Sequence, residues 1–237
     1  MRRPRLDPYL VGLAVMFAAV WCWAAIRPLH PEDWLLENYL VFISVPLIVL
    51  LGFYFRLSGL SYTLITAFMV MHVIGSHYTY AEVPFGETLK AWFGSDRNMY
   101  DRLVHFSFGL LLSYPVREIF IRICRARGFW GFYFPVELTL AFSAIYEVIE
   151  WATAANVDSS AGLAFLGAQG DIWDAQKDMA MAGIGSIMAM VITLILTWLI
   201  DPNAPKEMRE SFRIPPDDHP IGERQLLTWI RGRFRRR

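Results

Sequence analysis

Apolar residues in this chain run in long blocks rather than alternating, and six blocks can cross about 30 Å of hydrocarbon at about 1.5 Å of helical rise per residue. They cover 8–26, 36–55, 60–76, 103–123, 129–152 and 177–200. An open strand in lipid leaves its backbone groups unpaired, and the period-two alternation of a membrane barrel is missing, so each block must be helical. The predicted fold is all-α: a polytopic membrane bundle of six transmembrane helices spanning 8–200, with a stub over 1–7 and a tail over 201–237.

Charge orients the blocks. Arg2, Arg3 and Arg5 precede the first, Arg56 follows the second, and Arg117, Arg122, Arg125 and Arg127 surround the turn between the fourth and fifth. Arg209, Arg213 and Arg224 lie beyond the sixth. These alternate ends belong to the cytoplasmic side, which places both termini there. The connections near 27–35, 77–101 and 153–176 are poor in Lys and Arg and are expected outside. The first block ends in Trp21, Cys22 and Trp23 rather than at a small-residue cleavage site, so it reads as an uncleaved anchor.

Composition agrees: 55% hydrophobic and 15% aromatic residues exclude disorder, a collagen-like fibre, a disulfide scaffold and a typical cytosolic enzyme. The 22 Lys and Arg balance 22 Asp and Glu, which gives no case for a nucleic-acid partner. Cys22 and Cys124 are expected at opposite membrane faces, too far apart for a disulfide.

Ionisable side chains in or beside membrane spans are expensive and mark candidate function. Nine of them fall at the external end: His72 and His77 close the third block, Asp101 and His105 open the fourth, Glu147 and Glu150 close the fifth, and Asp171, Asp174 and Asp178 lead into the sixth. Residues three, four or seven apart share a helix face, so Asp101 with His105, Glu147 with Glu150, and the three aspartates can each be aimed inward. The nearby cations are chiefly Arg102 and Lys177, so something positive is needed among the carboxylates. Imidazole with carboxylate suits zinc, manganese or iron, and an all-oxygen subset suits magnesium or calcium. His72 and His77 are five apart, and their convergence requires unwinding near Gly75. The competing reading is a set of interhelical hydrogen bonds and caps at a wet interface.

Other features have simpler explanations. Glu118 precedes Arg122 by four, a helical ion pair, and the small residues Ala182, Gly183, Gly185, Ser186 and Ala189 permit close helix packing. Glu137, deep in the fifth block, is either a proton carrier or the partner of a polar neighbour. The aromatics between Ser76 and Asp101 suit an interfacial belt more than a lid. From Ile221 to Arg237, six Arg face one Glu among Leu226, Leu227, Trp229, Ile230 and Phe234, a basic amphipathic tail for an anionic inner leaflet.

Four segments carry a family resemblance: the run from His72 to Pro84, Tyr100-Asp101-Arg102 with His105-Phe106, Glu147 with Glu150-Trp151, and Gln169 to Met179. Together they resemble the YjdF-like bacterial inner-membrane proteins, a family of unknown function, over nearly all of 1–200. That resemblance implies a multi-pass location in the bacterial inner membrane and no particular reaction. The second half also resembles the VanZ-like group: Asp101, His105, Phe106, Glu147, Asp171 and Asp174 match its pattern, with Arg102, Glu150 and Asp178 as departures.

The leading functional expectation is a metal-dependent hydrolase or transferase acting on a lipid or envelope substrate at the external leaflet. Its ion is zinc, manganese or magnesium, held by a subset of His72, His77, Asp101, His105, Asp171, Asp174 and Asp178, with Glu147 or Glu150 as general base. Membrane lipids are the expected partners. An ion- or proton-coupled transporter and a non-catalytic membrane scaffold are the alternatives.

Overall fold

Helices occupy all six apolar blocks in the computed structural model, which describes residues 7–156, 168–213 and 222–234. They are α1 (Pro8–Ala24), α2 (Pro31–Tyr54), α3 (Gly59–Tyr78), α5 (Tyr100–Arg122), α6 (Trp130–Ala154) and α7 (Asp174–Ile200). A 3-10 turn, Tyr80–Glu82, and the short helix α4 (Pro84–Phe93) fill the third connection, while α8 (Ala204–Glu210) and α9 (Glu223–Phe234) follow the bundle. Among the described residues there is no strand. Four helices, α2, α3, α6 and α7, are long and apolar enough to cross a membrane. The apolar α1 has 17 residues. The 23-residue α5 is made less apolar by Asp101, Arg102, His105, Arg117, Glu118 and Arg122. Arg2, Arg3, Arg5 and the tail residues Arg235, Arg236 and Arg237 lie outside the described residues.

Local sequence sets the helix starts. The Asp7 side chain accepts from Tyr9 N at 3.0 Å ahead of Pro8, and the Ser58 hydroxyl accepts from Ser61 N at 3.2 Å. Gly94, at φ +61°, closes α4 in the left-handed conformation. α2 begins five residues before its apolar block, at Pro31, and two further starts are earlier by three: α5 begins at Tyr100 rather than 103, and α7 at Asp174 rather than 177. The first turns of α5 and α7 are charged and still helical because those charges pair inside the bundle.

α5 is the centre of the bundle and packs on α3, α6 and α7. Its closest neighbour is α7, against which Gly109 and Gly185 let the backbones meet; the small residues of α7 are indeed packing surface. Hydroxyls reinforce the seam, with Ser113 Oγ 2.6 Å from Ser186 Oγ and 3.1 Å from Thr139 Oγ1. Apolar contact fills the other side of α5, where Phe68, Met69, Val73 and Val104 are buried. Outward faces are apolar as well: Ile43, Leu47 and Leu50 on α2 and Leu196 and Leu199 on α7 are exposed, as lipid-facing side chains must be.

Glu118 does more than pair with Arg122 at 2.5 Å. Its carboxylate also accepts from Ser58 N at 2.9 Å and Ser61 Oγ at 2.6 Å, fastening the start of α3 to α5. Pro46, Pro115 and Pro135 all sit within continuous helices. Cys22 and Cys124 are free and exposed. Glu137 lies on an exposed face with Tyr133 one turn before it, away from the bundle interior.

Candidate functional site

The charged first turns of α5 and α7 meet in an ion network. Arg102, whose side chain is 6% exposed, donates from Nη2 to Asp174 Oδ1 at 2.6 Å and to Asp171 Oδ2 at 3.3 Å. Its Nη1 pairs with Asp178 Oδ2 and donates to the Asp174 backbone oxygen at 3.1 Å. Arg97, from the loop after α4, pairs with Asp174 and reaches Asp101 Oδ2 at 3.5 Å. Lys177 Nζ lies 2.6 Å from Asp171 Oδ2; that hydrogen bond holds the Asp171 carboxyl below its ordinary range, so it stays ionised at neutral pH. Arginine therefore supplies much of the positive charge that the aspartates require. Sequence reasoning identified Arg102 and Lys177 and missed Arg97, which lies in a loop where helical spacing gives no signal.

Below this network the site deepens. Asp101, His105 and Asp178 each offer one ligand atom, and those atoms lie within 4.8 Å of one another. His105 Nε2 is 3.6 Å from Asp101 Oδ1 and 3.5 Å from Glu147 Oε1. Arg102 occupies one oxygen of Asp178; among the described residues the other, Oδ1, is buried without a hydrogen-bond partner, as is Glu147 Oε1. The side chains of Asp178 and Glu147 are 3% and 10% exposed. Buried carboxylate oxygens left without donors are costly unless a cation or proton accompanies them. Donors about 2.1 Å from an ion in a tetrahedral arrangement are about 3.4 Å apart, so closing this triad takes about an ångström of side-chain movement. The donors thus fit a divalent metal in the three-ligand arrangement that leaves positions open.

His72 and His77 lie elsewhere. α3 is continuous through Gly75, and a five-residue step turns the second imidazole about 140° from the first. His72 Nε2 donates to the Glu37 carbonyl oxygen at 3.1 Å, and its Nδ1 lies 2.5 Å from the Tyr80 hydroxyl. With Nε2 carrying the proton, Nδ1 accepts from Tyr80, so both ring nitrogens are engaged. Burial pushes the Tyr80 hydroxyl well above its ordinary value, which keeps it a donor. Gly75 makes room for that ring, since a Cβ there would sit 2.8 Å from Tyr80. His77 Nδ1 donates to the Ala24 carbonyl oxygen at 3.0 Å, and its ring lies 4.5 Å from that of Trp23. These two histidines tie α3 to α2 and α1.

A second acidic group lines the same end. Glu37 of α2 is buried and accepts from the Tyr146 hydroxyl at 3.0 Å, and Glu150 lies within electrostatic range of Glu37 and Glu147. Glu37 escaped the sequence reading although it stands four residues after Asp33, within a helix start rich in acids. Tyr146 carries no signal of its own beyond preceding Glu147. Buried Asn98 organises the rim: its backbone N donates to Gln169 Oε1 at 2.8 Å and its Nδ2 to Val83 O at 3.0 Å. The aromatics of this connection divide between two roles. Tyr80 and Tyr100 turn inward, while Trp92 and Phe93 are 72% and 73% exposed on α4.

Residues 9–198 match the family model described as predicted membrane protein DUF2238. Over 188 residues the chain is 40% identical to the inner membrane protein YjdF of Escherichia coli strain K12, a match covering 78% of this chain and 90% of that protein. No solved structure matches.

Proposed function

The chain belongs to the DUF2238 family of predicted membrane proteins and is a multi-pass protein of the inner membrane; on that premise we propose that its polar chamber is a metal-assisted hydrolase or transferase centre. Asp101, His105 and Asp178 hold the divalent ion, and Glu147 is the general base. In this reading all six long helices cross the bilayer with both termini cytoplasmic, which puts the site at the external leaflet, on the side of a lipid or envelope substrate. The observation that carries this reading is the donor triad beside two buried carboxylate oxygens, Asp178 Oδ1 and Glu147 Oε1, that accept no hydrogen bond from the described residues. Convergence of Asp101, His105, Glu147, Asp171 and Asp174, the residues of the VanZ-like pattern, supports it further.

The ion supplies Lewis-acid polarisation of a carbonyl or phosphoryl oxygen. Glu147 would take the proton of the attacking water or alcohol as the new bond to carbon or phosphorus forms, and return it to the leaving oxygen as the ester or anhydride bond breaks. Arg102 fixes Asp178 and Asp174, and so the direction in which Asp178 presents its remaining oxygen. Glu137, the deep carboxylate on which a carrier reading rests, is exposed on the outer face of α6 rather than turned into the bundle.

The test is turnover by detergent-purified protein given manganese, zinc or magnesium, on short-chain phosphatidic acid and farnesyl diphosphate for phosphate release and on short-chain phosphatidylglycerol for fatty-acid release. Removing a general base costs about 100-fold or more, so Glu147→Gln should lose that much rate while keeping its metal. Metal-independent turnover, or a rate untouched by Glu147→Gln, contradicts the proposal.

A further inference from the structure

At the end of the bundle opposite the chamber, the turn between α5 and α6 folds back onto α8 and is clamped there. Gly128, at φ +54°, brings the chains so close that a Cβ would sit 2.4 Å from the Glu207 carbonyl oxygen. Phe129 N donates to Ser211 Oγ at 3.1 Å, Trp130 Nε1 donates to the Ser211 carbonyl oxygen at 2.9 Å, and Ser211 Oγ donates to Met208 O at 2.6 Å. Two cavities of about 430 and 310 Å³ share the walls Ala126 and Arg127 of this turn. Arg125, Trp130 and Phe134 line the first; Arg117, Phe132, Trp198 and Glu207 line the second.

Three arginines thus face the double cleft against one carboxylate, Glu207, and among the described residues none of the three forms an ion pair. Arg125 and Arg127 are exposed at the mouth, but Arg117 is set deeper. Its guanidinium lies over the Phe132 ring, 4.3 Å from the centroid, and its buried Nε has no hydrogen-bond partner. A half-buried guanidinium beside a cavity, with an aromatic wall and no ion pair among the described residues, has fork donors free for an acceptor entering the cleft. The walls indicate where that acceptor comes from. Trp130, Phe134 and Trp198 are partly exposed on apolar outer faces, so a ligand entering here has its polar end among arginines and its apolar part against the surface that meets lipid. Arginine-lined pockets between helices on the basic side of a membrane protein suit anionic headgroups. We propose that this cleft binds the phosphate of an anionic phospholipid, Arg117 and Arg127 holding the headgroup and the acyl chains lying along α6 and α7. The site is separate from the polar chamber and does not depend on the reading of it.

Full-length protein in detergent is titrated with dioleoyl phosphatidylglycerol, and in parallel with dioleoyl phosphatidylcholine, and the bound lipid is counted by native mass spectrometry. Wild type should retain phosphatidylglycerol in preference to phosphatidylcholine. Loss of one arginine should weaken that retention about fivefold, the attraction of one basic side chain for an anionic surface. Arg127→Gln alters an exposed side chain and avoids the burial of Arg117, Arg117→Gln probes the deeper contact, and Arg27→Gln, exposed after α1 at the opposite end of the bundle, should change nothing. Equal retention of the two lipids, or phosphatidylglycerol retained unchanged by both Arg127→Gln and Arg117→Gln, overturns the proposal. So does displacement of the lipid by equimolar inorganic phosphate, which would identify a soluble anion as the occupant.

Discussion

Arg102→Met should lower the unfolding free energy of the purified protein by about 3–5 kcal/mol, the range seen when one partner of a buried ion pair is removed. Methionine keeps the apolar stem and loses only the fork. Left behind are Asp174, Asp178 and Asp171, which Arg102 engages from two nitrogens, with Asp174 Oδ1 at 2.6 Å and Asp171 Oδ2 at 3.3 Å. Arg97 still reaches Asp174, whereas Asp178, 3% exposed, has Arg102 as its ion-pair partner and no second arginine beside it. Lysine carries one point charge and cannot address these carboxylates from two directions, so Arg102→Lys should recover less than half of the loss. Thermal or detergent-titrated unfolding of the three proteins, followed by circular dichroism, is the check. A methionine variant within about 1 kcal/mol of wild type, the scale of an exposed pair, would mean that the network is solvated.

Gly109→Ala should be nearly as damaging. The added Cβ would stand 1.9 Å from the Ala182 carbonyl oxygen and 2.7 Å from Ser186 N, both backbone atoms of α7 that no side-chain rotation can move. Gly185→Ala makes the reciprocal collision, 2.1 Å from the Phe106 carbonyl oxygen. The two helices must separate, which breaks the Ser113 to Ser186 contact of 2.6 Å and shifts Arg102 relative to Asp178. Overpacking typically costs about 1–3 kcal/mol, and a collision between backbones belongs at or above the top of that range. Gly12→Ala, where a Cβ meets nothing within 4 Å, is the control and should be neutral. If Gly109→Ala and Gly12→Ala unfold alike, α5 and α7 are not in the close contact described.

The helices were legible because each apolar block had to be a helix in lipid. Their starts were less so: a hydropathy window stops at Asp101, Arg102 and Asp174, since it treats charge as a sign of water, whereas these charges satisfy one another inside the bundle. Within single helices the site could be read from spacing. The four-residue steps from Asp101 to His105 and from Asp174 to Asp178 aim each pair at one place, and the same rule, applied to a step of five, explains why His77 turns away from His72 toward Trp23. What escaped depends on contacts between elements. Arg97 comes from a loop, Glu37 from the acidic start of α2, on a helix that supplies none of the grouped residues, and the Tyr80 hydroxyl from a turn that fits only because residue 75 is glycine. Spacing along one strand of sequence carries no information about such meetings.

Metal content per chain, measured by inductively coupled plasma mass spectrometry on detergent-purified protein after incubation with zinc, manganese and magnesium and removal of free ion, tests the chamber most directly. About one ion per chain is expected in wild type, the stoichiometry of a single three-ligand centre. Near-complete loss is expected in the paired His105→Ala and Asp178→Asn variant, and no change in His72→Ala or His77→Ala. Wild type that stays empty of all three metals, or a paired variant that binds as wild type does, would contradict a metal centre at Asp101, His105 and Asp178.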